Sequence, residues 1–198
     1  MSEHYFTKHP TSAISEKEFL FSLNGTKLRF VTVSGVFSFG KPDKASLNFV
    51  KHLPALYGDV LDLGCGYGFI GLCVKVLFPE AAVYMSDVNE RAVKYAKINA
   101  KNNNLNVFVK NGDGFSPWKE KQFDFVLFNP PIAAGKKVWA RLLEESKQHL
   151  KENGSLLCVG FHNKAGKTIK REMFAVFGNV SELSKSGGIR VYSSRRRT

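Results

Sequence analysis

A doubly wound α/β sheet is the fold this sequence predicts, and three observations predict it. From Val60 onward, short apolar runs of strand type alternate with helix-length amphipathic segments, the pattern of parallel βαβ units. The first of those runs ends in a glycine cluster, Gly64-Cys65-Gly66-Tyr67-Gly68, where a strand must turn sharply into a helix. Near each end of the chain a turn dipeptide, Asn24-Gly25 or Gly187-Gly188, separates two strand-like runs and marks a hairpin.

Residues 1–15 are polar and predict a poorly ordered start. Residues 18–33 alternate apolar and polar on both sides of Asn24-Gly25, predicting two strands joined by a type I′ turn. A loop over 34–42 follows, carrying Phe37 and Phe39. Residues 43–56 predict a helix with Leu47, Val50 and Leu53 inward and Pro54 near its end. Strands over 60–63, 82–85, 107–109, 123–128 and 155–159 then alternate with helices over 69–77, 89–103, 137–150 and 167–177. Residues 180–185 and 189–192 flank Ser186-Gly187-Gly188 as a closing hairpin, which adds one antiparallel strand. The sum is a seven-stranded sheet in a single domain over 1–198, with 1–44 as an N-terminal β-hairpin extension and 45–198 as the ligand-binding core.

Composition narrows the class. A hydrophobic fraction of 43% over 198 residues fits a globular chain. The longest apolar run, 156–161, falls far short of the roughly 20 residues that span a bilayer. The first residues lack a signal peptide's apolar stretch, so a cytoplasmic protein without a membrane partner is expected. Cys65, Cys73 and Cys158 form no C-x-x-C and the five histidines no ligand spacing, so neither metal nor disulfide is expected. Lys and Arg outnumber Asp and Glu by 29 to 17, a formal charge of +12. Such a surface attracts polyanions, nucleic acid first. Residues 161–198 hold nine of the cations against two glutamates, which concentrates +7 there.

Doubly wound sheets bind ligands beyond the carboxyl ends of their strands. There the first strand reads Asp62-Leu63-Gly64-Cys65-Gly66-Tyr67-Gly68. Its glycines permit a tight turn and a close ligand approach, with helix N–H groups behind them. Residues 66–71 even satisfy G-x-G-x-x-G, but Asp62 argues against a dinucleotide, since a carboxylate there repels a pyrophosphate. It suits a cation instead, such as the α-amino group of a methionine moiety. Asp87, with Val88 beside it, closes the next strand and suits two ribose hydroxyls. Asp113, followed by Gly114 after the third strand, suits an adenine amino group. The fourth strand runs into Asn129-Pro130-Pro131, a turn stiffened by two fixed φ angles. That stiffness aims the Asn129 amide oxygen and the Pro130 carbonyl at one point, as two acceptors for a planar –NH₂ group.

The glycine loop with Asp62 and Asp87 resembles the S-adenosyl-L-methionine (AdoMet) site of class I methyltransferases. With Asn129-Pro130-Pro131 it resembles those enzymes that methylate planar amino groups. Residues 34–38 and Asp43-Lys44-Ala45-Ser46 resemble the segment before that loop in the small-domain group, which includes ribosomal RNA guanine-N2 methyltransferases and compact single-domain archaeal relatives. The resemblance implies a Rossmann-like fold and AdoMet held by Asp62, Gly64, Cys65, Gly66, Gly68, Asp87, Val88, Asp113, Gly114 and Asn129. It also implies Asn129, Pro130 and Pro131 as catalytic residues, and RNA, most of all ribosomal RNA, as partner. The target is then guanine N2 or cytosine N4, with adenine N6 third. The family places an aromatic ring where this chain has Ile132, so base stacking falls to Phe37, Phe39, Trp139 or Phe161. Lys136, Lys137, Arg195, Arg196 and Arg197 are the expected phosphate contacts. A protein glutamine N-methyltransferase shares the same amine logic, and a non-catalytic RNA-binding protein shares the charge.

Overall fold

The computed structural model describes residues 7–197 and opens on the expected hairpin. Strands β1 (Glu16–Leu23) and β2 (Thr26–Val33) pair antiparallel across Asn24-Gly25, whose φ angles of 47° and 81° are those a type I′ turn requires. Among the described residues this two-stranded sheet joins no other strand. Its inner edge is instead met by buried Asn99, whose amide accepts from Val31 N (2.8 Å) and donates to the carbonyls of Val31 and Tyr67. One side chain thus satisfies a strand edge and braces the glycine loop. Leu28, Phe30 and Val33 pack into the same core as Tyr67 and Phe69.

Helix α1 (Lys44–Lys51) is shorter than expected and turned differently. It buries Ala45, Ser46, Phe49 and Val50, while Leu47 stays exposed and the helix stops five residues before Leu56. Pro54 explains the stop, because a residue before proline is pushed out of the helical region. The next elements follow the sequence reading closely: β3 (Asp59–Leu63), α2 (Phe69–Leu77), β4 (Ala82–Asp87), α3 (Glu90–Asn102), β5 (Phe108–Asn111) and β6 (Phe123–Phe128). Helix α4 (Lys136–His149) leads into β7 (Leu150–Phe161), which is much longer than the five residues expected. The extra length contains a bulge: Phe123 pairs with Leu150, but Phe125 pairs with Ser155. Asn153 takes φ 63° there, and a Cβ on Gly154 would meet the Phe123 carbonyl at 2.9 Å. Helix α5 (Lys167–Phe177) and the hairpin β8 (Ser181–Ser186) and β9 (Ile189–Arg195) complete the chain.

Among the described residues the large sheet has the order β5-β4-β3-β6-β7-β9-β8, with β9 running opposite to the other six strands. Its central strands are buried on both faces: in β3, Val60 belongs to one core and Leu61 to the other. The chain works outward through β3, β4 and β5, then returns to β6 on the opposite side of β3. Between β3 and β6 lies the switch point, where the two halves diverge and a crevice opens. The amino ends of the parallel strands are closed by ions instead, with Asp59 between Lys121 (3.0 Å) and Lys151 (2.9 Å) and Asp124 on Lys151 (2.7 Å).

Candidate active site

A cavity of about 340 Å³ occupies the switch point, at the carboxyl ends of β3, β4 and β6. The first corner is the glycine loop. Gly64, Gly66 and Gly68 hold φ of 73°, 57° and 92°, values that side chains resist. Gly64 N and Cys65 N donate to the Ser86 carbonyl, at 2.8 and 3.0 Å, which hooks the loop onto β4. A Cβ on Gly64 or Gly66 would meet only open space, so both present bare backbone to the cavity.

Asp87 forms the second corner. One oxygen accepts from Gly66 N (2.8 Å) and the other from Asn89 N (2.9 Å). Burial pushes this carboxyl up to about 6. Asn111 locks the corner by donating to the carbonyls of Asp87 and Val88. Cys65, Val88 and Gly114 also line the cavity, while Gly68 caps α2. Gly114 holds φ 56°, which favours glycine, and a Cβ on it would lie 2.6 Å from the end of the Leu142 side chain.

Asp62 is a correction to the expected site. Its carboxylate is 1% exposed, does not line the cavity, and accepts from Gly71 N at 2.8 Å. It ties α2 to β3 below the cavity, and burial pushes it up to about 7. Asp113 does line the cavity, but its two oxygens are held by Arg141 at 2.7 and 2.9 Å. That partner, on α4, leaves no local mark in the sequence.

Asn129, Pro130 and Pro131 make the opposite wall. Pro131 has φ −75° and ψ 77°, and Ile132 N donates to the Pro130 carbonyl at 2.9 Å, an inverse γ-turn. The Pro130 oxygen therefore keeps one lone pair for a ligand. The 3₁₀ turn that follows carries Ile132 away from the cavity, with Val138 and Ala134 lining it in its place. Two wall residues lie in the 43–46 segment, to which the sequence assigned no role at the site. Asp43 caps α1, and Ser46 lies between that cap and the Asn129 amide. The Asp43-x-x-Ser46 spacing announces a helix cap, but its contact with Asn129 is tertiary.

Of the four aromatic residues considered for stacking, only Phe37 lines the cavity. Trp139 is buried against α5, Phe161 packs on the core, and Phe39 lies under Lys17. Phe37 rides on a roof loop anchored to α3: Asn89 donates to Gly35 O (2.9 Å) and Arg91 to Ser34 O (2.8 Å). Arg91 also binds the carbonyls of Pro10 and Ser12, so residues 8–15 are held, contrary to expectation. The expectation for residues 1–6 lies outside the described residues.

The expected phosphate contacts divide. Lys136 and Lys137 open α4 beside the lining residue Val138, with Lys136 paired to Glu172 at 2.9 Å. Arg195, Arg196 and Arg197 are not brought to the cavity. Arg195 pairs with Ser155 near the start of β7, and Arg196 binds the Leu150 carbonyl, at the other end of the sheet. The reversal of β9 carries them there, because its amino end lies by Phe161.

The family model described as methyltransferase small domain matches residues 27–193, which takes in both corners and the Asn-Pro-Pro wall. The chain belongs to the methyltransferase small domain family. The family is AdoMet-dependent. This small-domain methyltransferase is 35% identical to the uncharacterized protein YbxB of Bacillus subtilis over 99% of its own length and 100% of that protein's. It is 33% identical to a ribosomal RNA small subunit methyltransferase C of Psychromonas ingrahamii, over 98% of its own length but 57% of that enzyme's. Its fold matches the T. thermophilus N2 methyltransferase of 16S rRNA, solved in complex with AdoMet and guanosine, at a TM-score of 0.82 and 24% identity, covering 95% of this chain and 52% of that one. The chain thus spans about half the length of these ribosomal RNA enzymes. Among the described residues no helix is long and apolar enough to cross a membrane.

Proposed function

We propose that this chain methylates the exocyclic amino group of a base in ribosomal RNA, with guanine N2 as the target. The observation that carries the reading is that the Gly66–Asp87 corner and the Asn129 wall face one cavity across neighbouring strands. The residues present fit AdoMet: bare glycine backbone where a side chain would intrude, and a carboxylate able to accept from two ribose hydroxyls. When bound, AdoMet supplies an electrophilic methyl group on a sulfonium.

The chain's own part is to hold the amine. Asn129 Oδ1 and the free lone pair of Pro130 O accept its two N–H bonds, favouring a pyramidal nitrogen with an exposed lone pair. Such catalysis rests on positioning and fixed dipoles, without a strong general base. Phe37 offers the base an aromatic face in the role that Ile132 cannot fill. The +12 charge suits a polyanion more than a protein amide, and Lys137 stands at the rim to meet phosphate. The guanine assignment draws on the T. thermophilus relative, a guanine-N2 methyltransferase of 16S rRNA.

Nucleoside mass spectrometry of ribosomal RNA, from cells with and without the protein, tests this. Loss of an N2-methylguanosine is expected. Loss of N4-methylcytidine alone would move the assignment to cytosine, and unchanged RNA with loss of a methylated glutamine would overturn it.

A further inference from the structure

An asparagine amide has one accepting end and one donating end, and only the accepting end can receive an amine's N–H. At Asn129 the choice is made by two residues of α1. Asp43 Oδ1 accepts from Ala45 N (2.8 Å) and Ser46 N (3.1 Å) as the helix cap, while Oδ2 lies 2.5 Å from Ser46 Oγ. An ionised carboxylate can only accept, so the Ser46 hydroxyl gives its one hydrogen to Asp43. Only lone pairs then remain on Ser46 Oγ, which sits 3.1 Å from the Asn129 amide. The amide must meet it with Nδ2, and Oδ1 takes the other side. The orientation follows from the donor count and does not depend on how the two amide atoms are assigned.

We propose that Ser46 and Asp43 are positioning residues that fix the Asn129 amide with its oxygen toward the amine. This rests on the reading that Asn129 receives the amine. The relay makes an unusual demand on its variants, because the milder substitution does more harm. Ser46→Ala removes the acceptor and lets the amide take either orientation, as terminal amide torsions readily do. Asp43→Asn keeps an oxygen for the helix cap but places an NH₂ where Oδ2 stood. That group donates to Ser46, whose hydrogen then turns to Asn129 and holds the amide reversed, NH₂ inward.

The test uses the purified full chain, AdoMet, and ribosomal RNA from cells lacking the protein. We expect kcat to fall about tenfold in Ser46→Ala and about a hundredfold in Asp43→Asn, the latter approaching Asn129→Ala, since one misdirected dipole is worth roughly 10²–10³ in rate. In an Asn129→Ala background both changes should leave kcat unaltered, because the group they orient is gone. Melting by circular dichroism confirms that each variant is folded. A structural role alone would instead make the two effects multiply with Asn129→Ala, or rank Asp43→Asn as the milder, and either result overturns the relay. Unchanged kcat in both variants, with activity lost in Asn129→Ala, overturns the relay alone. Full methylation by Asn129→Ala overturns the proposed function and the relay with it.

Discussion

The two sides of the cavity are built by different means. The glycine–Asp87 side is held by backbone: Gly66 N and Asn89 N bind the carboxylate, and the Ser86 carbonyl takes two loop N–H groups. The Asn129 side is held by side chains on an element far away in sequence, through Ser46 and Asp43. A backbone-built corner tolerates change at most of its side chains, whereas a relay fails as a unit. The first corner is suited to grip a ligand and the second to direct a dipole.

Exchanging the key residue on each side breaks the comparison most sharply. Asn129→Ala should lower kcat by about 10²–10³ with little change in the KM for AdoMet. Asp87→Ala should do the reverse, weakening AdoMet binding by about 10- to 100-fold, the worth of a charge-assisted hydrogen bond or two, while kcat at saturation survives. Steady-state kinetics on both variants checks the split, and a KM effect in Asn129→Ala would erase it.

Burial raises the Asp87 carboxyl to about 6, so lowering the pH through that value protonates the carboxylate proposed to hold the ribose. AdoMet affinity, measured by titration calorimetry, should be constant above about pH 7 and fall below 6, approaching tenfold per pH unit. In Asp87→Asn that pH dependence should vanish.

Asp62 sharpens the contrast from below the cavity. Its carboxyl is raised from 3.8 to about 7 by folding, so the folded chain binds the proton more tightly than the unfolded one. Stability is therefore lost as the pH rises from about 4 to about 7, and the deficit persists above. Asp62→Asn keeps an acceptor for Gly71 N and cannot ionise. Urea melts should show the wild type losing stability relative to this variant between pH 4 and pH 8. Equal slopes would mean that the carboxyl is not raised.

The smallest effects concern charge. Lys137→Ala should flatten the salt dependence of RNA binding by about one unit of slope, the loss of one phosphate contact. Arg197→Ala, at the far end of the sheet, should leave it unchanged.

How much of this was legible depended on how local each cause was. The glycine loop, the Asn24-Gly25 turn, the strand alternation and Asp87 are written in adjacent residues, and the fold they predicted is the one present. The face of α1 was misread because eight residues carry too little periodicity to fix a phase, and Phe49, not Leu47, meets the core. The length of β7 was hidden by a bulge that looks like a loop. Asp62 was misplaced because its motif gives a neighbourhood and not a direction; the strand turns its side chain under α2. The pairing of Arg141 with Asp113 and of Ser46 with Asn129 joins residues that only the folded sheet brings together.

The guanidinium of Arg91 carries a kinetic consequence. It binds the segment that precedes the hairpin at Ser12 and the roof loop at Ser34, and it stands on the first turn of α3, just past Asp87. Lifting the roof over Phe37 therefore also loosens the strap beneath which it is tied. Amide hydrogens in the two segments should exchange as one cooperative unit. The residence time of any molecule under that roof would then be set by a clasp that touches none of its atoms.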